Sequence, residues 1–255
     1  MAKMDAYAVV FWRMALAAPI LLAWGALERG PSPPLPWRPL LGGAALLTTH
    51  FLLWVKAFDL TDYASNLVLL VSQPVMAAVL GHRLGEKHGP GIWVSVALAT
   101  AGLVIVAGGD FRLGARAILG DVLCVLGGFC IALFYVVSKP AREVLSTRTF
   151  MGLTFAAGAL FTLPVLLVAD SRVVAYPRES WGWLAGLVLL TTIGGHSLMN
   201  RAAREVRLFT LNIVIVLEPA IGIALGALLF GATVSASALL GGAVLAIAVV
   251  IGLRS

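Results

Sequence analysis

Two copies of one pattern decide the fold of this chain: residues 50–74 read HFLLWVKAFDLTDYASNLVLLVSQP, and residues 196–219 read HSLMNRAAREVRLFTLNIVIVLEP. Matching residues recur at an offset of 146, and the proline that closes each copy recurs at 145. Both copies are apolar enough to lie in a bilayer, so the repeat predicts a duplicated membrane domain that works at the interface between its halves. The matched pairs are His50 and His196, Ala57 and Ala203, Asn66 and Asn212, and Pro74 and Pro219.

The composition places the whole chain in a membrane. Hydrophobic residues make up 60% of it and charged residues 12%, against about 45–50% and about 25% in soluble domains. The net charge of +6 is scattered over the connections, which indicates membrane topology and not a nucleic-acid partner. Cys124 and Cys130 lie six residues apart in one apolar segment, so we expect neither a disulfide nor a metal site there. No cofactor is expected.

Nine segments are long and apolar enough to cross a bilayer as helices. The repeat pairs the first span with the sixth, the second with the seventh, the third with the eighth and the fourth with the ninth. Partners lie five crossings apart, an odd number, so the two copies are inverted-topology repeats that cross the membrane in opposite senses. The nine spans are residues 8–27, 39–58, 64–81, 91–107, 118–138, 150–169, 181–199, 211–230 and 238–253.

The fifth span has no partner in the repeat. The pattern therefore predicts an all-α, polytopic five-plus-five fold with its first helix missing, either by truncation or as a natural nine-helix variant. The repeats are residues 1–110, with four helices, and residues 111–255, with five. Lys and Arg number 11 on the side of the C-terminus and 7 on the other side, which places the C-terminus in the cytoplasm.

A carboxylate and an amide occupy corresponding places before the two helix-breaking prolines. Glu218 precedes Pro219, whereas Gln73 precedes Pro74. One interpretation is that Glu218 exchanges a proton and couples transport to a gradient. The alternative is that Glu218 stays protonated and bonds a backbone carbonyl that the proline leaves free.

Each copy also offers a histidine with a neighbour four residues later, on the same helix face. His50 has Trp54 and His196 has Asn200, a combination that suits a small ligand in an apolar pocket. Hydrogen bonds between helices are the alternative role. Tyr135, near the end of the fifth span, is either a pathway residue or part of the interfacial aromatic belt. Asn66 and Asn212 are interpreted as helix N-caps.

Enzyme signatures are absent from the sequence. There is no HExxH, GxSxG or GxxxxGK[ST] motif, and no two of the four histidines have ligand spacing on one helix. We therefore predict a protein that is not an enzyme.

Five stretches carry a resemblance to a known family. They are FWRMALAAP (11–19), QPVMAAVLGHRLGE (73–86), GGFCIALFYVVSK (127–139), GGHSLMNRAAREV (194–206) and LEPAIGIALGALLFG (217–231). In this order and spacing the chain resembles the drug/metabolite transporter superfamily, in particular its EamA-domain family. The resemblance implies two inverted five-helix halves around a midplane cavity and alternating access for small organic solutes.

The resemblance also implies which spans line that cavity: the second, third, fifth, seventh and eighth. Glu86 matches the family's acidic residue after the proline-bearing span, which anchors the following loop, but the second copy has FGA at residues 230–232 instead. The lining spans carry His50, Trp54, Gln73, Tyr135, His196, Asn200 and Glu218.

The combined expectation is a secondary transporter in a bacterial inner membrane that exports small organic metabolites or drugs such as amino acids. One alternative is an exchanger of phosphorylated sugars or nucleotide sugars, which needs Lys or Arg facing the cavity. The other is an accessory membrane protein without flux. The partners considered are a small-molecule substrate, the lipid bilayer and a second copy in a homodimer.

Overall fold

A computed structural model describes the chain except for residues 1–3, 29–33, 62–64, 67–68, 70–71, 111–113, 215–224, 226–227, 230, 232–233 and 255. The side chains of residues 103, 106–110, 213 and 214 also lie outside the described part. The described chain forms two compact units. Unit 1 comprises Met1–Val55 and Leu133–Glu205, and unit 2 comprises Lys56–Ala132 and Val206–Ser255.

The elements of the described chain are helices. One stretch, Leu187–Gly195, is π-helical and is called the π segment below. The α-helices are α1 (Ala6–Ala26), α2 (Trp37–Ala57), α3 (Ser72–Arg83), α4 (Pro90–Asp110), α5 (Ala115–Val137), α6 (Lys139–Val144), α7 (Thr147–Val168), α8 (Arg178–Gly186), α9 (His196–Ala202), α10 (Leu208–Val214) and α11 (Ala236–Leu253).

Short polar side chains cap the N-termini of several of these helices. Asp5 accepts hydrogen bonds from the backbone N–H groups of Tyr7 and Ala8 at the start of α1. Ser146 and Ser235 do the same for α7 and α11. These caps satisfy N–H groups that have no partner within the helix, which matters at a membrane boundary where an unpaired group is costly.

Six described helical segments are long and apolar enough to cross a membrane: α1, α2, α5, α7, α11 and the continuous stretch Arg178–Ala202. They coincide with six of the predicted spans, so the polytopic all-α class is confirmed. A shorter apolar helix, Pro90–Gly102, falls in the fourth predicted span. Much of the eighth span and part of the third lie outside the described residues, so the count of nine remains a prediction.

The seventh span differs from the prediction in its local geometry. The chain runs from α8 through the π segment into α9 without leaving a helical path. Apolar periodicity does not distinguish a π-helix from an α-helix, so the sequence pattern contained no signal for this change. π-helical turns are rare in proteins, and those that occur often lie at functional sites.

In unit 1, α1 packs along α7, its partner in the repeat. A Cβ added to Gly25 would lie 2.7 Å from Thr149 Oγ1, and one added to Gly158 would lie 2.6 Å from Met14 Sδ. The end of α1 therefore meets the start of α7, and earlier residues of α1 meet later residues of α7. The two equivalent helices run antiparallel.

Unit 2 repeats this arrangement with α4 and α11, which correspond to the fourth and ninth spans. Ser95 Oγ donates to the Ala248 carbonyl at 2.6 Å. A Cβ added to Gly102 would lie 3.0 Å from the Gly241 carbonyl oxygen. These helices are also antiparallel, as inverted repeats require.

Each unit thus combines segments from both predicted repeats. Unit 2 further pairs α3 with α10, from the third and eighth spans. The predicted border between residues 110 and 111 separates the two duplicated halves of the sequence. The compact units divide the chain at other places, so this border stays a prediction.

Candidate functional site

A buried arginine joins three helical segments of unit 1. Arg13, the eighth of 21 residues in α1, is only 2% exposed. Its Cζ lies 3.9 Å from the ring centroid of Phe51 on α2, and its Nε donates to Thr192 Oγ1 at 3.1 Å. A guanidinium over an aromatic face away from water gains roughly 2 kcal/mol. The contact therefore joins α1, α2 and the π segment through one side chain.

Both histidines of the repeat lie beside the same phenylalanine. The His196 ring meets Phe51 edge to face, with 5.0 Å between centroids. The His50 centroid is 5.2 Å from Phe51, and on its own helix His50 stacks on Trp54 at 6.0 Å and 7° between ring planes. Phe155 on α7 closes the group, 6.4 Å from His196 and edge to face with it.

We call this set the Arg13 cluster. It presents one fixed cation, two imidazoles and several ring faces inside unit 1, a combination that can hold a small organic molecule by charge, hydrogen bonding and stacking. Its members are Arg13, His50, Phe51, Trp54, Phe155, Thr192 and His196.

Asn200 lies next to this cluster on α9. It is fully buried, and its Nδ2 donates to the His196 carbonyl at 2.9 Å. Its Oδ1 accepts no hydrogen bond from any described residue. The side chain therefore keeps one acceptor for a ligand or a water molecule.

Asn212 in unit 2 makes the corresponding bond. It is the fifth residue of α10, and its Nδ2 donates to the Leu208 carbonyl at 2.8 Å. The predicted N-cap role of Asn212 is therefore wrong: the side chain bonds backward along its helix, because in a membrane segment a buried amide has no water to bond. Asn66 is also buried, and its carbonyl accepts from Cys124 Sγ at 3.1 Å.

The residues predicted around the two prolines lie in unit 2. Gln73 is 2% exposed, and Pro74, which follows it in α3, is also buried. Glu218 and Pro219 lie outside the described residues.

Tyr135 lies in the last turn of α5 and contacts a second buried arginine. Its carbonyl accepts from Arg142 Nη2 at 2.6 Å, and Ser138 Oγ accepts from Nη1 at 2.5 Å. Burial lowers the pKa of Arg142 to about 10, while Tyr135 acts in the opposite sense. Arg142 is therefore charged at neutral pH and stabilises the C-terminal end of α5.

Glu86 makes one contact with α10, a helix within the second copy of the pattern. Its Oε1 lies 3.5 Å from the backbone nitrogen of Leu208, the first residue of α10. This long contact agrees with the anchoring that the resemblance implies for the loop after α3.

Arg13 is the functional candidate that the sequence prediction of the site missed. Arg13 is one of the seven Lys and Arg on the side opposite the C-terminus, and its sequence signal is a cation in the middle of an apolar span. Without it, six Lys and Arg remain on that side of the membrane, so the predicted orientation is unchanged. Among the residues that the structure describes, no group of three His, Cys, Asp or Glu side chains could hold a metal ion.

Comparison with known proteins places these features in context. The family model described as EamA-like transporter family matches residues 1–108 and 118–254. Two uncharacterized transporters of Archaeoglobus fulgidus are 28% and 26% identical over 75% and 86% of this chain, covering 68% and 77% of their own lengths.

A more distant relative is Solute carrier family 35 member F2 of Mus musculus. It is 24% identical over 60% of this chain and 42% of its own length. One crystal structure matches 99% of this chain and 88% of its own with a TM-score of 0.79 and 14% identity. At that identity the structural likeness concerns the fold alone.

Proposed function

Because the chain belongs to the EamA-like transporter family, we propose that it is a secondary transporter that exports small organic metabolites or drugs, such as amino acids, by alternating access around a midplane cavity. The observation that supports this proposal is the Arg13 cluster, which brings together a charge, two imidazoles and aromatic faces from four spans inside unit 1. Polar groups at this depth are costly and mark substrate pathways in membrane proteins.

In this proposal His50, Trp54, His196 and Asn200 contact the substrate, with Arg13 added to them from the structure. Gln73 and Tyr135 are proposed as further contacts, and Pro74 and Pro219 as the points where their helices are interrupted. The chain acts without enzymatic chemistry. The proposed location is a bacterial inner membrane, with the C-terminus in the cytoplasm. A fluorescent protein fused to Ser255 tests this orientation, because the fluorescent protein matures only on the cytoplasmic side.

The transport proposal is tested by counterflow in proteoliposomes that contain the purified protein. Vesicles are loaded with one unlabelled amino acid and diluted into the same labelled one, over a panel of the 20 amino acids. We expect label to accumulate above empty vesicles for some members, and His196→Leu to raise the half-saturating concentration about tenfold, equal to about 1.4 kcal/mol of binding. A folded protein that moves no member of the panel contradicts the amino-acid proposal.

A second substrate class is favoured by one specific observation. An exchanger of phosphorylated sugars or nucleotide sugars needs a cation away from the span ends, and Arg13 is a buried cation in the middle of α1. Arginine suits phosphate because its planar fork donates two parallel hydrogen bonds. Counterflow of a labelled hexose phosphate, measured in the same vesicles, distinguishes this alternative. A protein that moves neither class is better described as an accessory membrane protein.

Coupling is proposed to use Glu218, whose carboxyl takes up and releases a proton during the cycle. Glu218→Gln is expected to abolish the acceleration of flux by an imposed pH gradient, because the amide cannot exchange a proton. Glu205→Gln, at an exposed glutamate, is the control and should keep the acceleration. Gradient-driven flux that persists in Glu218→Gln rejects this role.

A homodimer is also proposed, and light scattering of the purified protein in detergent tests it.

A further inference from the structure

Positive charge gathers at one end of unit 1, where the connection between α5 and α7 meets the end of α9. Residues 139–148 and 201–205 both belong to this unit and carry five Lys or Arg and two Glu. Arg204 joins the two stretches, because its Nη2 donates to the carbonyl of Leu145, the residue that follows α6. The chain just after α9 therefore lies beside the end of α6.

Arg142, on α6, is the buried member of this group. It is 3% exposed, and its Nη1 and Nη2 are held by Ser138 Oγ and the Tyr135 carbonyl. Burial lowers the pKa of Arg142 to about 10, and the charge of Arg204 acts in the same sense. Because arginine stays protonated at neutral pH, two positive charges are held here close enough to repel each other.

Neither of these two arginines forms an ion pair with an acidic side chain in the described part of the chain. Glu143 and Glu205, the acids next to them in sequence, are exposed. Glu143 attracts Arg142 more weakly than Arg204 repels it. An anion that binds beside the two guanidiniums would offset their repulsion, and guanidinium N–H groups are strong donors to anionic oxygens.

An exposed apolar surface leads to this group along the π segment and α9. Leu190 and Leu198 are 76% and 68% exposed, and on a spanning helix such leucines contact lipid chains. Arg201 is also exposed and lies three residues after Leu198, on the same face of α9. A lipid whose acyl chains cover the leucines would thus have its headgroup beside Arg201 and Arg204.

Trp24 marks the depth of the membrane boundary at this end of unit 1. Its side chain is half exposed, and Arg148 Cζ lies 5.1 Å from its ring centroid. Tryptophan in such a position is typical of the headgroup level of a bilayer. Leu145, the residue that Arg204 contacts, is three positions before Arg148. Arg204 therefore lies near the depth of the lipid phosphates.

We propose that Arg201 and Arg204, next to the buried charge of Arg142, bind the phosphate of an anionic phospholipid. Arg204 uses one of its five N–H donors for Leu145, and a guanidinium suits phosphate because it donates two parallel hydrogen bonds. The site lies on the side of the C-terminus, which the proposed orientation places in the cytoplasm, where the leaflet carries anionic lipids. Lipid binding here does not rest on the transport proposal.

Native mass spectrometry of the protein in detergent tests the site without any transported substrate. The protein is titrated with phosphatidylglycerol and, separately, with phosphatidylcholine of the same acyl chains. We expect the wild-type protein to bind phosphatidylglycerol at least about fivefold more tightly, and Arg201→Gln with Arg204→Gln to remove most of this preference. The control, Arg83→Gln with Arg254→Gln, removes two exposed arginines on the same predicted side and should keep it. Equal binding of the two lipids to wild-type protein, or an unchanged preference in the first variant, overturns the proposal.

Two further measurements keep the outcome decisive. Glycerophosphoglycerol has the same headgroup without acyl chains and should not displace phosphatidylglycerol when present at equal concentration. Displacement would identify a site for soluble phosphate compounds and overturn the lipid assignment. If the double variant does not elute as folded protein, Arg201→Gln is measured alone, because the Arg201 side chain makes no hydrogen bond with the described residues, and an unchanged preference again overturns the proposal. Absence of flux would contradict the transport function and leave the lipid result as measured.

Discussion

At the scale of single residues, Arg13 and Thr192 show how a buried charge is held in a span. Thr192 Oγ1 donates to the Leu187 carbonyl at 3.1 Å and accepts from Arg13. Thr191, its neighbour, donates to the same carbonyl at 2.7 Å but is exposed. The two threonines thus differ in one contact, the one with the guanidinium.

Thr192→Val should therefore lower the free energy of unfolding by about 1–3 kcal/mol, because it removes an acceptor from a buried charged donor. Thr192→Ser restores the hydroxyl and should recover most of the loss. The measurement is thermal unfolding in detergent, with Thr191→Val as the matched control. Equal losses for the two valine variants would show that the bond to Leu187, and not the contact with Arg13, is responsible.

At the scale of helices, the antiparallel pairs α1 with α7 and α4 with α11 depend on close approach of their backbones. Gly102 of α4 faces Leu245 and Gly241 of α11 so tightly that an added Cβ would lie 2.8 Å from Leu245 Cγ. The neighbour Gly242 has nothing within 4 Å of an added Cβ. Small residues let membrane helices pack closely, since no hydrophobic effect drives their association in lipid.

Gly102→Leu is expected to separate α4 from α11 and to destabilise the protein by about 1–3 kcal/mol, the usual cost of overpacking. Gly242→Ala should be neutral or slightly stabilising, because it adds helix propensity without a clash. Both are measured by the temperature at which half of the protein remains monodisperse in detergent. A Gly102→Leu protein as stable as Gly242→Ala would contradict the close contact.

At the scale of the whole molecule, the inverted repeat appears inside each unit as antiparallel packing of equivalent helices. α1 with α7 and α4 with α11 obey the same rule, although their sequences differ. The reason is geometric: a twofold axis in the membrane plane reverses each helix as it maps it onto its partner.

Cysteine cross-linking tests this direction. In a background without Cys124 and Cys130, Gly25→Cys with Thr149→Cys should form a disulfide on mild oxidation. An added Cβ at Gly25 lies 3.5 Å from Thr149 Cα, within reach of the geometry that a disulfide requires. The control pair Gly25→Cys with Leu163→Cys should not cross-link. Maleimide labelling of free thiols measures both, and the opposite result would mean that α1 and α7 run parallel.

Local patterns were enough to predict the six long apolar helical segments and several neighbours within them. The stacking of His50 on Trp54 and the bond from Asn200 to His196 follow from a four-residue spacing. The π segment was not predicted, because it does not change the apolar pattern of its span. The substrate-binding roles of His50, Trp54, Gln73, Tyr135, His196 and Asn200 stay predictions, as does the role of Glu218.

The sequence by itself determined a duplicated, inverted set of membrane helices, because a bilayer forces each backbone hydrogen bond to be local and each span to be apolar. Only the tertiary structure decided that Arg13 meets Thr192, 179 residues away, across the ring of Phe51. That contact depends on how far each helix is rotated about its axis. The rotation is set by packing and by the π segment, and nothing in the linear spacing of apolar residues encodes either.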